Sequence, residues 1–391
     1  MATAAPNEMT SDQGLKTGEH LSDTTDATTQ MAIMSISESG AKNPDQEYEA
    51  KKKVLVDYFR EGPPEFAKLD ALRKKATGDT FFMQQRHKAD NPDDQLAQGF
   101  YDMMKRIGKE MQKCTGALKV KTAGWGKPQI LDMGMAPGGF LAVAMELNPG
   151  AHAMGFSLPE PAGGHRVMLP DDANIDRRDL DVTMLAEDLG VTAIPSNHPD
   201  AGRFVPRQFA TNQQQFDLVI CGGAVVRKQE RASYREAYEA HRLSTSQLAL
   251  GLERLRPGGT MVVLFHKVEA WGTARELYAF DGFSRVRLFK PTTGHNKRSS
   301  FYMVATDVRS RHPRALRAVA RWKGIWEAAT FRAEGGLLEA MGSGEPGAEE
   351  LLEEFGEQMV KMGRKVWKIQ ADALERAPFM RDKRDGSDKG A

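Results

Sequence analysis

Residues 130–141, Ile-Leu-Asp-Met-Gly-Met-Ala-Pro-Gly-Gly-Phe-Leu, constrain the fold more than any other stretch of this 391-residue chain. Ile130 and Leu131 read as the end of a buried strand, and residues 140–147 as a helix leaving it, with a glycine turn between them. Gly134, Ala136 and Gly139 keep the spacing of a dinucleotide-binding loop, whose small residues let backbone N–H groups approach a ligand. Pro137 biases Ala136 toward an extended conformation and suits a first helical turn. Such spacing also occurs in tight turns of any α/β protein; the full string is more specific.

From Pro128 to about Arg309 strand and helix signals alternate, which predicts a doubly wound α/β sheet. Residues 151–157 read as its second strand, 174–182 as the third, 216–221 as the fourth, 261–265 as the fifth, and 284–289 and 301–306 as the last two. Residues 184–189 and 230–256 read as helices, the second ending at Arg256-Pro-Gly-Gly. Residues 191–215, with Pro195, Pro199 and Pro206, read as an irregular insertion. Ligands of open α/β sheets lie beyond the carboxyl ends of the strands. An acid for a ribose is expected after the second strand, but Ser157 holds the strand end and Glu160 follows among prolines. Asp181 suits a helix N-cap before 184–189.

Residues 1–46 are rich in Thr, Ser, Asp, Ala and Gly and read as disordered. Residues 47–127 read as a helical extension, with Phe100, Met103, Met104, Ile107 and Met111 forming a stripe that fits packing on the sheet. Within it, residues 81–90 mix two phenylalanines with Arg86, His87 and Lys88 and could touch substrate. Residues 311–391 read as a second helical extension, helices 311–332 and 349–376 about a 342–347 break, with a charged tail. The apolar face of Leu351, Leu352, Phe355, Met359, Met362, Val366 and Ile369 fits packing on the core ahead of a protein partner.

With 54 basic and 53 acidic residues the net charge is +1, which predicts neither a basic arm nor an acidic-substrate binder; a basic site must be local. Two cysteines, Cys114 and Cys221, exclude a disulfide framework and a multi-cysteine zinc site, and Cys221 reads as a core thiol. No run approaches the ~18–20 apolar residues of a membrane helix. Glu8, Asp12, Glu19, Asp23 and Asp26 speak against a signal or transit peptide, so the expected location is cytosolic or nuclear.

Asp132 followed by Gly-Met-Ala-Pro-Gly-Gly-Phe resembles motif I of the FtsJ-type S-adenosylmethionine (SAM) dependent ribose 2′-O-methyltransferases, Asp-Leu-Gly-x-x-Pro-Gly-Gly-Phe/Trp. The resemblance covers residues 128–306, and the chain looks like a divergent, fungal-type member. It implies a Rossmann-like methyltransferase domain at 128–310, SAM as cofactor and RNA as substrate. Cofactor contacts are implied at Asp132, Gly134, Ala136, Pro137, Gly138, Gly139 and Phe140, with Ser157 beside them. Asp181, in Asp-Val-Thr-Met-Leu, is implied as the acceptor for the adenine amino group. Lys267 matches the third position of the family's Lys-Asp-Lys-Glu catalytic set, the lysine that takes the ribose hydroxyl proton. Residues 290–300 resemble the closing motif.

Two positions depart from the family: Gly222 stands in place of the Asp, and Ser300 in place of the Glu. In an extended segment Glu269 shares the face of Lys267 and offers a substitute carboxylate. The first lysine of the set is unassigned within 51–88. Arg285, Arg287, Lys290, His295, Lys297 and Arg298 concentrate positive charge near the predicted mouth of the site, with Arg227, Lys228 and Arg231 at the same end. Arg227, Lys290, Lys297 and Arg298 are the candidate phosphate contacts to RNA, against a solvated edge hairpin. The sequence therefore carries an enzyme reading and a non-catalytic reading, in which a SAM- or RNA-binding protein keeps the fold. A nicotinamide-dependent oxidoreductase rests on glycine spacing alone and lacks a clear ribose acid.

Overall fold

The computed structural model describes residues 44–76, 93–121, 126–209, 214–332, 336–342 and 346–380. Seven strands form one sheet: β1 Gln129–Met133, β2 His152–Ser157, β3 Ile175–Asp179, β4 Phe216–Cys221, β5 Leu255–His266, β6 Arg285–Phe289 and β7 Ser300–Val308. Their order is β3-β2-β1-β4-β5-β7-β6. Strands β1 to β5 run parallel, and β7 runs antiparallel to both β5 and β6. The carboxyl ends of β1–β6 and the start of β7 thus share one edge. Strand order reverses at β1, whose neighbours are β2 and β4, and such a switch point opens a crevice beyond the strand ends. This is a doubly wound, Rossmann-like architecture.

Alternation along the strands sends their apolar side chains into two layers. Ile130, Leu218, Ile220 and Val304 face helices α3 Asp94–Thr115 and α4 Gly139–Leu147. Leu131, Met133, Val219 and Met261 face the opposite layer. That layer holds α1 Pro44–Glu61, α2 Pro64–Ala76, α6 Glu239–Arg254, α7 Trp271–Asp281, α8 Pro313–Phe331 and α10 Ala348–Glu375; α5 Ser233–Glu236 precedes α6, and α9 Gly336–Gly342 follows α8. The methionine stripe of α3 packs on the sheet through Met103, Met104, Ile107 and Met111. α3 is capped by Asp93, which accepts from the Leu96 N–H at 2.7 Å, and ends on Gly116 in the left-handed region. Leu351, Phe355, Met359 and Val366 of α10 are buried in the core rather than presented outward.

Several boundaries differ from the sequence reading. Residues 184–189 carry no α-helix; Val182–Met184 form a single 3₁₀ turn. The helix expected over 230–256 breaks at residues 237–238 into α5 and α6. Arg256-Pro-Gly-Gly is no stop: β5 begins at Leu255 and runs through it, with the pairing register shifting before Leu218 and Gly258 at φ +85°. The 191–215 insertion is fastened down: His198 bonds the Thr330 carbonyl at 2.9 Å, and Tyr234 donates to Asp200 at 2.9 Å. α1 starts at Pro44, ahead of the expected residue 47; residues 81–90 lie outside the described residues. Among the described residues no helix is long and apolar enough to cross a membrane.

Candidate active site

The glycine loop is shaped by what lies against it. Gly134 adopts φ +94°, and a Cβ there would overlap the backbone of Gly223. Gly222 and Gly223 both donate to the Met133 carbonyl at 3.1 Å, and the N–H groups of Gly134 and Met135 donate to Phe156 at the end of β2. The ends of β2 and β4 are thereby each held at backbone distance of the end of β1, and the close approach of Gly223 leaves room only for glycine at 134. Gly139 is equally constrained, since a Cβ would meet the Tyr101 carbonyl of α3 at 2.6 Å. Gly138, at φ +103°, is the N-cap of α4 and lies under Leu169. Pro137 follows a cis peptide bond and stands ahead of the helix, not in its first turn. Phe140 packs edge-on against Tyr302 at 5.2 Å.

Gly134, Ala136 and Pro137 stay half-exposed, and Gly222 has open space on its Cβ side. This cradle at the switch point fits a cofactor approached by backbone. Replacing Gly134 by Ala combines a left-handed φ with overlap, and is expected to cost about 2–4 kcal/mol and to abolish SAM binding. Denaturant unfolding together with equilibrium dialysis of SAM checks both.

Asp132, next to last in β1, is 2% exposed, and burial pushes its carboxyl up to about 7. Ser157, also buried, ends β2 opposite Asp179. Asp181 caps the 3₁₀ turn as an N-cap, accepting from the Thr183 N–H at 2.9 Å and hydroxyl at 2.7 Å. Its second oxygen accepts from Gln229 Nε2 at 2.9 Å and Arg235 at 2.8 Å. A carboxylate has about four acceptor sites, and these four bonds fill them. Burial would raise the Asp181 pKa, but the Arg235 guanidinium and the Thr183 bonds outweigh it and hold it below the usual range. Arg235 also binds Glu239, and Arg242 bridges Glu239 to Thr330 of α8. Neither Gln229 nor Arg235 carries a motif that would have marked it in the sequence.

Cys221 lies buried below Gly222, and burial and then Asp132 drive its thiol well above its ordinary value, which suits a core thiol. Lys267 follows β5 on the same edge with φ +48°; its N–H donates to Ser299 at 3.1 Å and its carbonyl accepts from Ala270 at 3.0 Å. The segment is therefore a turn, and the extended geometry that would have put Glu269 on the face of Lys267 is absent. Glu269 is instead buried, paired with Arg73 of α2 and accepting from Trp367 Nε1 of α10 at 3.3 Å.

Lys290 departs most from its expected place in a phosphate-binding patch. It is 2% exposed, and its ammonium donates to the carbonyls of His295, Arg298 and Ser300. Three carbonyls match the three donors of the charged form, although burial, Arg73 and Arg298 pull its pKa down to about 7. The loop it pins is also held by Glu110 of α3, which accepts from Thr292 and Thr293. Lys297 and Arg298 ride on that loop, and Ser300 opens β7 against His266. Arg227 is exposed in the loop after β4. Arg285 and Arg287 are exposed on the edge strand β6, Arg285 facing Asp307 at 3.5 Å. Among the described residues no His, Cys, Asp and Glu cluster suited to a metal ion occurs.

Residues 109–308 match the family model described as FtsJ-like methyltransferase. No curated protein sequence matches the chain. Among solved structures, a Plasmodium falciparum protein assigned as a ribosomal RNA methyltransferase is 15% identical over 52% of this chain and 96% of its own, with a TM-score of 0.31. Human N-acetylserotonin methyltransferase, solved in complex with SAM, is 14% identical over 68% of this chain and 72% of its own, with a TM-score of 0.30. A fibrillarin/Nop5p complex gives 12% identity over 52% and 82%, with a TM-score of 0.31.

Proposed function

The chain belongs to the FtsJ-like methyltransferase family, and from that premise we propose that it methylates ribose 2′-hydroxyls of RNA. SAM supplies a methyl group on a sulfonium sulfur. The loop from Gly134 to Gly139 would hold that end of the cofactor by backbone, with Asp132 and Ser157 beneath it, whereas Asp181, its acceptor sites filled by Thr183, Gln229 and Arg235, has none left for the adenine amino group. Lys267 takes the hydroxyl proton as the ribose oxygen attacks in line. Arg227, Lys297 and Arg298 neutralise phosphates and set the register of the strand. The observation that carries this reading is the common edge: the motif I loop lies at the switch point and Lys267 directly follows β5 at the same edge of the sheet.

A non-catalytic SAM- or RNA-binding protein is the second reading. It is favoured by Gly222 and Ser300, which remove both family carboxylates, and by Glu269, whose oxygens are already engaged. Incubation with methyl-labelled SAM and total RNA separates the two. Alkali-resistant label is expected, because a methylated 2′-oxygen cannot attack the adjacent phosphate. Bound SAM with no label, and label appearing only in Gly222→Asp, would establish the binding reading. A Cβ placed on Gly222 would meet nothing within 4 Å.

A further inference from the structure

The turn that carries Lys267 is closed by residues from the two ends of the chain. Glu269, two positions on, has a buried carboxylate, and a buried charge of this kind is stable only if its partners are complete. Arg73 of α2 supplies one partner and Trp367 of α10 the other. The Arg73 fork also reaches Gln370 Oε1 at 2.7 Å, and Gln370 Nε2 donates to the Lys297 carbonyl at 3.2 Å. One relay therefore runs from the 290–300 loop through Gln370 and Arg73 to Glu269. Lys267 lies between its two ends, bonded by its N–H to Ser299 and by its carbonyl to Ala270. Its left-handed φ is a conformation that persists only where the surroundings over-determine it.

We infer that Arg73 and Gln370, both outside the 109–308 segment, are positioning residues that fix the Lys267 turn through Glu269. The inference deepens the proposed function and rests on Lys267 as the base; neither residue touches the reacting atoms. The helical extensions are then parts of the active site.

Arg73→Ala alone would strand the buried Glu269 carboxylate and risks unfolding the chain. The informative form is Arg73→Met combined with Glu269→Gln in the full chain, which removes the relay and the stranded charge together. Trace acetylation by acetic anhydride, read at Lys267 by peptide mass spectrometry against exposed Lys113, reports the placement of the amine directly. Lys267 labelling is expected to change by about threefold or more, and single-turnover methyl transfer to fall at least about tenfold, with SAM affinity held within about twofold. Unchanged Lys267 labelling in the folded double variant overturns the inference, and so does an unchanged transfer rate. A natural chain that transfers no methyl overturns the base assignment instead, and the labelling then decides the clasp by itself.

Discussion

Lys267→Ala is expected to slow single-turnover methyl transfer by about 10²- to 10⁴-fold, the contribution of a positioned general base. SAM affinity should hold within about twofold, since the side chain stands at the end of β5, across β4 from the glycine loop. Quenched-flow measurement with labelled SAM separates the rate from binding. Lys267→Arg sharpens the result. A guanidinium keeps the positive charge but cannot accept the hydroxyl proton. A base therefore makes the arginine variant as slow as the alanine one. If arginine retains a rate within about tenfold of the natural chain, Lys267 serves as a fixed cation and the proton leaves by another route.

Asp132→Asn is expected to stabilise the fold at pH 8 by as much as about 4 kcal/mol, from the shift between 3.8 and about 7 at about 1.4 kcal/mol per unit. The folded pKa lies above the unfolded one, so the contribution of the protonated carboxyl is fully present below pH 3.8. It is lost as pH rises to 7. Between pH 5 and pH 8 the advantage of the Asn variant should grow by about 3 kcal/mol and level off above the folded pKa. Urea unfolding of both proteins across that range measures it. His241 and His295, depressed to about 4 by burial first, and Lys290, depressed to about 7, oppose this trend in the natural chain. They are common to both proteins and cancel in the difference. Equal profiles would mean that Asp132 is ionised in the folded chain throughout. A carboxyl kept where an amide would be more stable fits a ligand-binding role better than a structural one.

How much was legible depended on how far apart the interacting residues lie. The strand 216–221 is present with the ends read from sequence, because a hydrophobic run bounded by glutamines and glycines is a local signal. The glycine loop is legible for the same reason: Gly134 and Gly139 are imposed by backbones pressed against them, and that constraint leaves its mark in place. Glu269 was misplaced because its partners lie 196 and 98 residues away, and nothing in its neighbourhood of the sequence reports them. Asp181 shows both outcomes at once. Its cap is written within two residues, whereas Gln229 and Arg235, 48 and 54 residues on, are not. Lys290 belongs to a visibly basic stretch, yet a lysine whose loop offers three carbonyls turns inward, and charge counting cannot tell the two apart. The break of α5 from α6 and the early start of β5 are tertiary choices imposed on sequence that read as one helix and a stop.

The clasp on Glu269 orders the chain in time as well as in space. Synthesis delivers Arg73 first, the sheet and Lys267 next, and Trp367 and Gln370 last. A nascent chain that has completed β7 holds every strand of the sheet, but Glu269 still lacks its α10 partner and the 290–300 loop its tie to Gln370. The last turns of α10 bring in Trp367 and Gln370, so the surroundings of Glu269 are complete only once the chain has been made as far as Gln370.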